Sequence, residues 1–475
     1  MSKFKIYTRG IVFNSSDEVL LIKKQNDQEI AGGEWLLPGG TVEYEENVEQ
    51  TLVRELKEET NLETKSLNLI TTKKMMIGES HWLGVYYRVR VKDEKKLKNR
   101  EPEKHERVDF YELDNIPEFK DYNVVKFVNN VENKKEFFEI NTPTKENHAM
   151  EDALERYTRK KIHHEIKENN NQISSIKIIG NHDRSTKVYK DEKRDKKFNH
   201  QRPTCFLEED NLYLCCFPGK DYVYHYAKLV KYYTELENLD ITVSYLPPSD
   251  QAVKKEFLST NITEIPDADV VIFGNIDRIG LFENKEFKGK GDFEWKKGVI
   301  NNKEVLLLGC KFSIWGDNGY QLIKNLDSVC NFSTFIYTGK LGVLNSDIKP
   351  NKYLATGDSS IVNKGEIEWN NLFDQQPNQK ENILQGKHFT CRSVMDETKD
   401  KINSIKEKVS FIDPEIGNMA KAAQEFDKNF SYLHVISDNV INHQRENLSN
   451  ERTRNIREKR DKLFNEIGEI IRQEI

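Results

Sequence analysis

The stretch Gly40-Thr41-Val42-Glu43-Tyr44-Glu45-Glu46-Asn47-Val48-Glu49-Gln50-Thr51-Leu52-Val53-Arg54-Glu55-Leu56-Lys57-Glu58-Glu59-Thr60-Asn61-Leu62 decides how the first third of the chain is read. Glu55, Glu58 and Glu59 are spaced i, i+3, i+4, so a helix over about 47–60 stacks three carboxylates on one face. Without a partner such a face repels itself. It makes sense if it holds a divalent cation, and hard carboxylate oxygens suit Mg2+ or Mn2+. Arg54 can pair with one of these carboxylates and orient it. Gly39-Gly40 allows the sharp turn from strand to helix. Asn61 stands at the helix end, where Asn is the best residue after Gly for a left-handed cap. An exposed acidic helix is the alternative, and a lone E-x-x-E-E would favour it.

Written as a pattern, the stretch is G-x5-E-x7-R-E-U-x-E-E-x-N-U, where U is bulky and apolar. It resembles the box of the Nudix hydrolases. Gly40, Glu46, Arg54, Glu55, Leu56, Glu58, Glu59 and Leu62 match, and Asn61 replaces the last glycine. The resemblance covers residues 4 to about 125. It implies an α+β Nudix sandwich and a metal held by Glu55, Glu58 and Glu59, with Arg54 among the catalytic residues and Gly40 at the substrate. Bound divalent cations would neutralise a diphosphate and activate water. The segment Glu101-Pro102-Glu103-Lys104-His105-Glu106, followed by Phe110–Pro117, resembles the closing part of Nudix enzymes that act on nucleoside triphosphates. Glu103 is there either an assisting base or base-edge contact, or a surface acid.

The chain around this box has 475 residues, which predicts two to four domains. Hydrophobic residues make up 36% and charged residues 32%, with a net charge of -6. Basic and acidic residues, 73 and 79, are mixed, so neither nucleic acid nor a membrane surface is an expected partner. No apolar run approaches the ~18 residues of a spanning helix, and Met1–Lys5 has no signal core. Cysteines stand at 205, 215, 216, 310, 330 and 391 with no C-x-x-C pair, as in a cytoplasmic protein with reduced thiols and no zinc site. The boundaries expected are a Nudix domain over 1–140, a charged, partly helical linker over 141–200, and an α/β domain over 201–475. In the last, buried-strand runs such as Val270–Phe273 and Val305–Leu308 alternate with helical stretches at 317–329 and 416–427, which predicts a central mixed sheet covered by helices. The tail, 446–475, reads as a packing helix.

Several segments of 266–475, in order, resemble the purine nucleoside phosphorylase and nucleosidase family. Ala268–Arg278 looks like its first strand and phosphate loop, with Gly274 and Arg278 at the phosphate. Tyr337–Leu344 looks like its glycine-rich turn, Asp413–Ala420 like its helix start with Glu415 on the ribose, and Val435–Asn439 like its closing Ser-Asp pair. The resemblance thus places Ser437 and Asp438 at the purine, Phe389 where an aromatic stacks on the base, and Arg452 near a further arginine. Breaking an N-glycosidic bond needs a proton or hydrogen bond for the leaving base and a carboxylate on the ribose, and Asp438 and Glu415 are residues of those types. The alternatives are an ordinary helix N-cap for Ser437-Asp438 and a core role for Phe389. Tyr337 replaces the expected strand-end arginine and Lys340 an expected serine. The altered phosphate site makes hydrolysis plausible, or a substrate whose own phosphates meet Arg278, Lys340 and Arg452.

Together these readings predict a bifunctional, nucleotide-degrading enzyme. One site cuts a nucleoside triphosphate or other nucleoside diphosphate derivative to a monophosphate. The other cuts base from ribose in a purine nucleotide or nucleoside, in the manner of an antiviral nucleotide-depleting effector. Two alternatives stand beside it: a Nudix domain that senses a ligand and regulates the second site, and house-cleaning or salvage by phosphorolysis. The second resemblance also implies a homo-oligomer, with a hexamer as one candidate size.

Overall fold

Asn47 starts the acidic helix, α1 (Val48–Thr60). Its side chain accepts from the Gln50 N–H at 2.8 Å, and the Gln50 side chain accepts from the Asn47 N–H at 3.1 Å, so two orphan donors are satisfied at once. The helix ends at Asn61, which takes φ 62° and donates its N–H to Lys57 O. Leu52 and Leu56 face inward and bury with Val12, Leu20, Val85 and Val89.

The computed structural model describes residues 4–475 apart from 15, 17, 29–30, 78–79, 113–115, 118, 120, 123, 126–127, 129–136, 181–197, 199–202, 209, 218, 364, 443–445 and 450–452. The chain divides into two compact units. One consists mainly of residues up to 137, the other of 138–180, 188–205 and 210–475. In the first unit, β1 (Phe4–Val12) pairs parallel with β5 (Ser80–Val91), and β5 pairs antiparallel with β4 (Thr64–Ile77). A second sheet places β2 (Val19–Lys24) between β3 (Trp35–Leu36) and β6 (His105–Tyr111).

The second unit holds two sheets. The smaller runs, in part, through β7 (Phe138–Glu139), β10 (Thr242–Leu246), β8 (Ser175–Ile179) and β9 (Asn211–Cys215). Helices α2 (Asp152–Arg159) and α3 (Lys220–Leu236) pack with it. The expected linker departs from this picture, because residues 141–180 belong to the unit's core. Leu154, Tyr157, Ile162, Ile166, Ile176 and Ile178 are buried with Val223, Tyr226 and Val230 of α3. The segment is poor in large apolar residues, but those it has are spaced to fall on one face, and its charges occupy the other. Most of 181–202 lies outside the described residues; Phe198 within it is buried beside Val270 and Ile272.

The larger sheet is mixed, as expected. Its strands β12 (Phe293–Ile300), β13 (Lys303–Cys310), β11 (Val270–Gly274) and β14 (Thr334–Val343) lie in that order. β14 then pairs parallel with β18 (Asn429–Asn439) and, at its end, antiparallel with β17 (Phe411–Asp413). Alternate residues feed opposite faces. Val271, Phe273, Leu306 and Phe335 pack with α4 (Asp317–Asp327) and α5 (Ile416–Glu425). Val270, Ile272, Leu307 and Ile336 pack with Phe464, Ile467, Ile470 and Ile471 of α6 (Arg454–Glu474). Both faces are covered, which is why these strands read as continuous apolar runs. Among the described residues no helix is long and apolar enough to cross a membrane, and all six cysteines are free.

Candidate active sites

In the first unit the loop before α1 is pinned along β1. Gly10 N donates to Pro38 O at 2.8 Å, Thr8 N to Gly40 O at 2.9 Å, and Val42 N to Ile6 O at 2.9 Å. The Arg9 guanidinium donates to Gly39 O. This fixes Gly40 directly against the helix: a Cβ there would lie 2.2 Å from Glu55 Oε1 and 2.3 Å from its Cδ.

Arg54 organises the outer carboxylates. Its Nε and Nη2 fork onto Glu46 at 2.8 and 2.9 Å, and this hydrogen bonding holds the Glu46 carboxyl down at about 2. Its Nη1 is shared between Glu55 Oε1 and Glu58 Oε2, both at 3.0 Å. The box carboxylates therefore do have a partner. Glu58 reaches solvent, Glu55 is largely covered, and burial pushes Glu55 up.

Glu59 turns the other way. It is buried, accepts from the Gly39 N–H at 2.8 Å, and burial raises its carboxyl to about 8. Its second oxygen lies 3.5 Å from His105 Nε2 at the start of β6. His105 is 1% exposed, neither ring nitrogen has a hydrogen-bond partner among the described residues, and burial lowers it to about 4. Glu101 completes the group: one ligand atom from each of Glu59, Glu101 and His105 lies within 4.8 Å of the others. Glu103 sits exposed on the adjoining turn. Glu103 is the acid expected from the sequence to assist at this segment. The buried residue is His105, which nothing in a stretch this charged marks as interior.

In the second unit a cavity of about 180 Å3 brings together four of the sequence-predicted residues, Gly274, Arg278, Lys340 and Glu415. Gly274 closes β11 at φ 118°, where an added Cβ would lie 1.8 Å from Thr338 O, so only glycine fits. Arg278 pairs with Asp461 at 3.5 Å. Glu415 is set by Asp413, whose Oδ1 accepts the Glu415 and Ile416 N–H groups at 3.0 and 2.9 Å and lies 3.0 Å from His388 Nε2. Burial, with Asp413 nearby, pushes the Glu415 carboxyl well up, and Tyr337 Oη reaches it at 3.5 Å.

The opposite wall was not foreseen. It comes from Lys161 and from Tyr222, His225 and Tyr226 of α3, with Trp315 beside them. His225 stacks on Trp315 at 4.2 Å between centroids and meets Ser393 Oγ at 2.8 Å.

The remaining predicted residues are not among those lining this cavity. Ser437 and Asp438 lie inside β18, where the register with β14 slips between Leu341 and Gly342 and leaves Ser437 as the extra residue of a bulge. The N-cap alternative is thereby corrected, because a strand and not a helix holds the pair. Ser437 Oγ donates to Asp438 Oδ1 at 2.7 Å, and Asp438 in turn helps to push the buried Glu397 carboxyl up, after burial itself. Phe389 is half-buried and packs against a cluster containing Ile402, Ile405 and Ile412, with Lys401 Nζ 4.7 Å above its ring. Arg452 lies outside the described residues.

Residues 3–129 match the family model of the NUDIX domain. The solved structures similar to the chain include a MutT NUDIX hydrolase from Burkholderia pseudomallei, 24% identical, covering 27% of this chain and 97% of its own, with TM-score 0.24. They also include the Helicobacter pylori MTAN, 16% identical over 43% of this chain and 97% of its own, with TM-score 0.33. A uridine phosphorylase from Vibrio fischeri is 15% identical over 43% of this chain and 87% of its own, with TM-score 0.34. The expectation of a hydrolase with an N-terminal Nudix domain is borne out. The second likeness is one of fold.

Proposed function

We propose that the protein degrades nucleotides at two sites, opening a phosphoanhydride in the first unit and an N-glycosidic bond in the second. The observation that carries the reading is the Arg54 network, which presents Glu55 and Glu58 outward from one guanidinium while Glu59 is anchored on the Gly39 N–H. The donor types fit a divalent cation: Glu55 and Glu58 share the Arg54 guanidinium, and Glu59 lies with Glu101 beside an imidazole that has no hydrogen-bond partner among the described residues. Glu55, Glu58 and Glu59 would hold it. When bound, such a cation neutralises phosphate charge and lowers the pKa of water. The chain's own contribution is geometric. Arg54 fixes two carboxylates relative to each other, Gly40 lets Glu55 approach the loop, and the pinned loop keeps water and substrate in register. Water adds across a P–O–P bond of a nucleoside triphosphate or other nucleoside diphosphate derivative, and a monophosphate leaves.

In the second unit Arg278 and Lys340 take the phosphate of a purine nucleotide, and Glu415 holds the ribose as positive charge grows at the anomeric carbon. Water adds there, and the base departs with a proton. Ser437 and Asp438, which do not line this cavity, are assigned to the base side on the resemblance of the closing Ser-Asp pair alone. Coverage of the cavity by Lys161 and the Trp315–His225 stack supports a substrate carrying both phosphate and a ring. A chain that removes pyrophosphate and base drains a purine nucleotide pool, which suits an antiviral effector in the cytoplasm. Homo-oligomeric assembly is part of this reading.

The test is chromatography of ATP and dATP incubated with the full chain and Mg2+, with and without phosphate. Wild type is compared with Glu59→Gln and Asp438→Asn. AMP with pyrophosphate, lost in Glu59→Gln, and adenine released without added phosphate, lost in Asp438→Asn, are expected. Adenine release that requires phosphate replaces hydrolysis with phosphorolysis. AMP alone in every variant but Glu59→Gln overturns the second half of the proposal. Adenine release that merely responds to a Nudix ligand, without Nudix turnover, makes the first unit a sensor.

A further inference from the structure

Beside the box acid Glu59 stands a pair of residues that the box does not contain. His105 opens β6 at 1% exposure, with both ring nitrogens lacking a hydrogen-bond partner among the described residues. A buried imidazole in that state is an unmet donor–acceptor pair, and native interiors rarely leave one without a reason. Its Nε2 points at Glu59 Oε1, 3.5 Å away. Glu101, at the other end of the four-residue turn leading into β6, brings a carboxylate into the same space, so the three ligand atoms lie within 4.8 Å. Lys104 holds Glu101 from behind at 2.5 Å.

We propose that Glu59, Glu101 and His105 form a mixed nitrogen–oxygen cation seat that selects a transition-metal dication such as Mn2+ over Mg2+. Ligand bonds of about 2.0–2.2 Å put neighbouring ligand atoms roughly 3–4 Å apart. Closing the present group onto an ion therefore needs small side-chain rotations and no backbone movement. Mg2+ takes oxygen ligands and keeps its waters, whereas affinity for a site containing nitrogen rises along the transition-metal dications from Mn2+ upward. The seat shares Glu59 with the Nudix site, so the proposal rests on that reading only for the consequence to turnover and not for binding. Arg9 and Lys24 also direct positive charge at Glu59, which limits affinity and leaves the choice of ion to the nitrogen.

The experiment is Mn2+ binding to the metal-stripped full-length protein, with free Mn2+ counted by EPR and the bound ion examined by pulsed EPR. A directly bonded nitrogen-14 signal is expected in wild type. His105→Leu should abolish it and weaken Mn2+ binding by tenfold or more, while Mg2+ binding stays within about threefold. Glu101→Gln should weaken Mn2+ binding while keeping the nitrogen signal, and it guards against a His105 variant that fails to fold. Bound Mn2+ with oxygen coupling alone in wild type overturns the seat and leaves the Nudix reading intact. Nitrogen-coupled Mn2+ in a protein that hydrolyses no nucleotide keeps the seat and removes the Nudix reading.

Discussion

Gly40→Ala separates the packing role of the box from its chemistry. The residue's φ lies outside the left-handed region, so alanine meets no backbone strain there. Its Cβ would, however, stand 2.2 Å from Glu55 Oε1, and ordinary contact begins at 3.4 Å. The obstructing atoms are the end of a flexible side chain, so Glu55 retreats by more than an ångström and gives up its bond to Arg54 Nη1, now at 3.0 Å. A partly solvated ion pair of this kind contributes about 0–1 kcal/mol, so the unfolding midpoint should scarcely move. Misplacing a reacting group by 1 Å costs about 100-fold in rate, or about 2.7 kcal/mol of transition-state stabilisation. The assay is kcat/KM for AMP formation from ATP, with thermal unfolding in parallel and Glu55→Gln as the reference. A rate within about threefold of wild type would refute the idea that Glu55 must occupy its present place. A large fall in stability would show that the glycine serves packing instead.

Two further predictions concern the second unit. Gly274→Ala combines φ 118° with a Cβ placed 1.8 Å from Thr338 O, a backbone atom that cannot yield; a loss of about 3 kcal/mol or more is expected, read as a lowered transition for this unit, and an unchanged transition would refute the tight β11–β14 approach. His163 is buried and held down to about 4, chiefly by burial, so the folded unit resists the proton that an unfolded histidine accepts near pH 6.5, and stability present above 6.5 is lost as pH falls toward 4. His163→Asn keeps a side-chain acceptor for the Glu165 N–H and does not titrate, so between pH 7 and 5 the variant should gain about 2 kcal/mol on wild type in urea unfolding; a pH-independent difference would contradict the assignment.

The acidic helix was legible residue by residue, down to its left-handed end at Asn61, because its spacing, cap and carboxylates are local features. The order of strands and helices after 266 was legible for the same reason: apolar runs such as Val270–Phe273 announce a strand buried on both faces. The seat at His105 was not, since only the return of β6 beside β2 brings that residue to Glu59, 46 positions earlier in the chain. Nor was the wall of Tyr222, His225 and Trp315 near Glu415, to which α3 contributes because 141–180 and 210–236 belong to the second unit instead of spanning a gap. Ser437-Asp438 looks from its residue types like a helix start, and a single slip in pairing with β14 keeps it in a strand. The sequence by itself determined the box, its caps and the buried strands, where each side chain answers to neighbours a turn or a pleat away. The tertiary structure alone decided which distant groups share a cavity, because burial, which sets the charge state of Glu59, His105 and Glu415, comes from atoms far away along the chain.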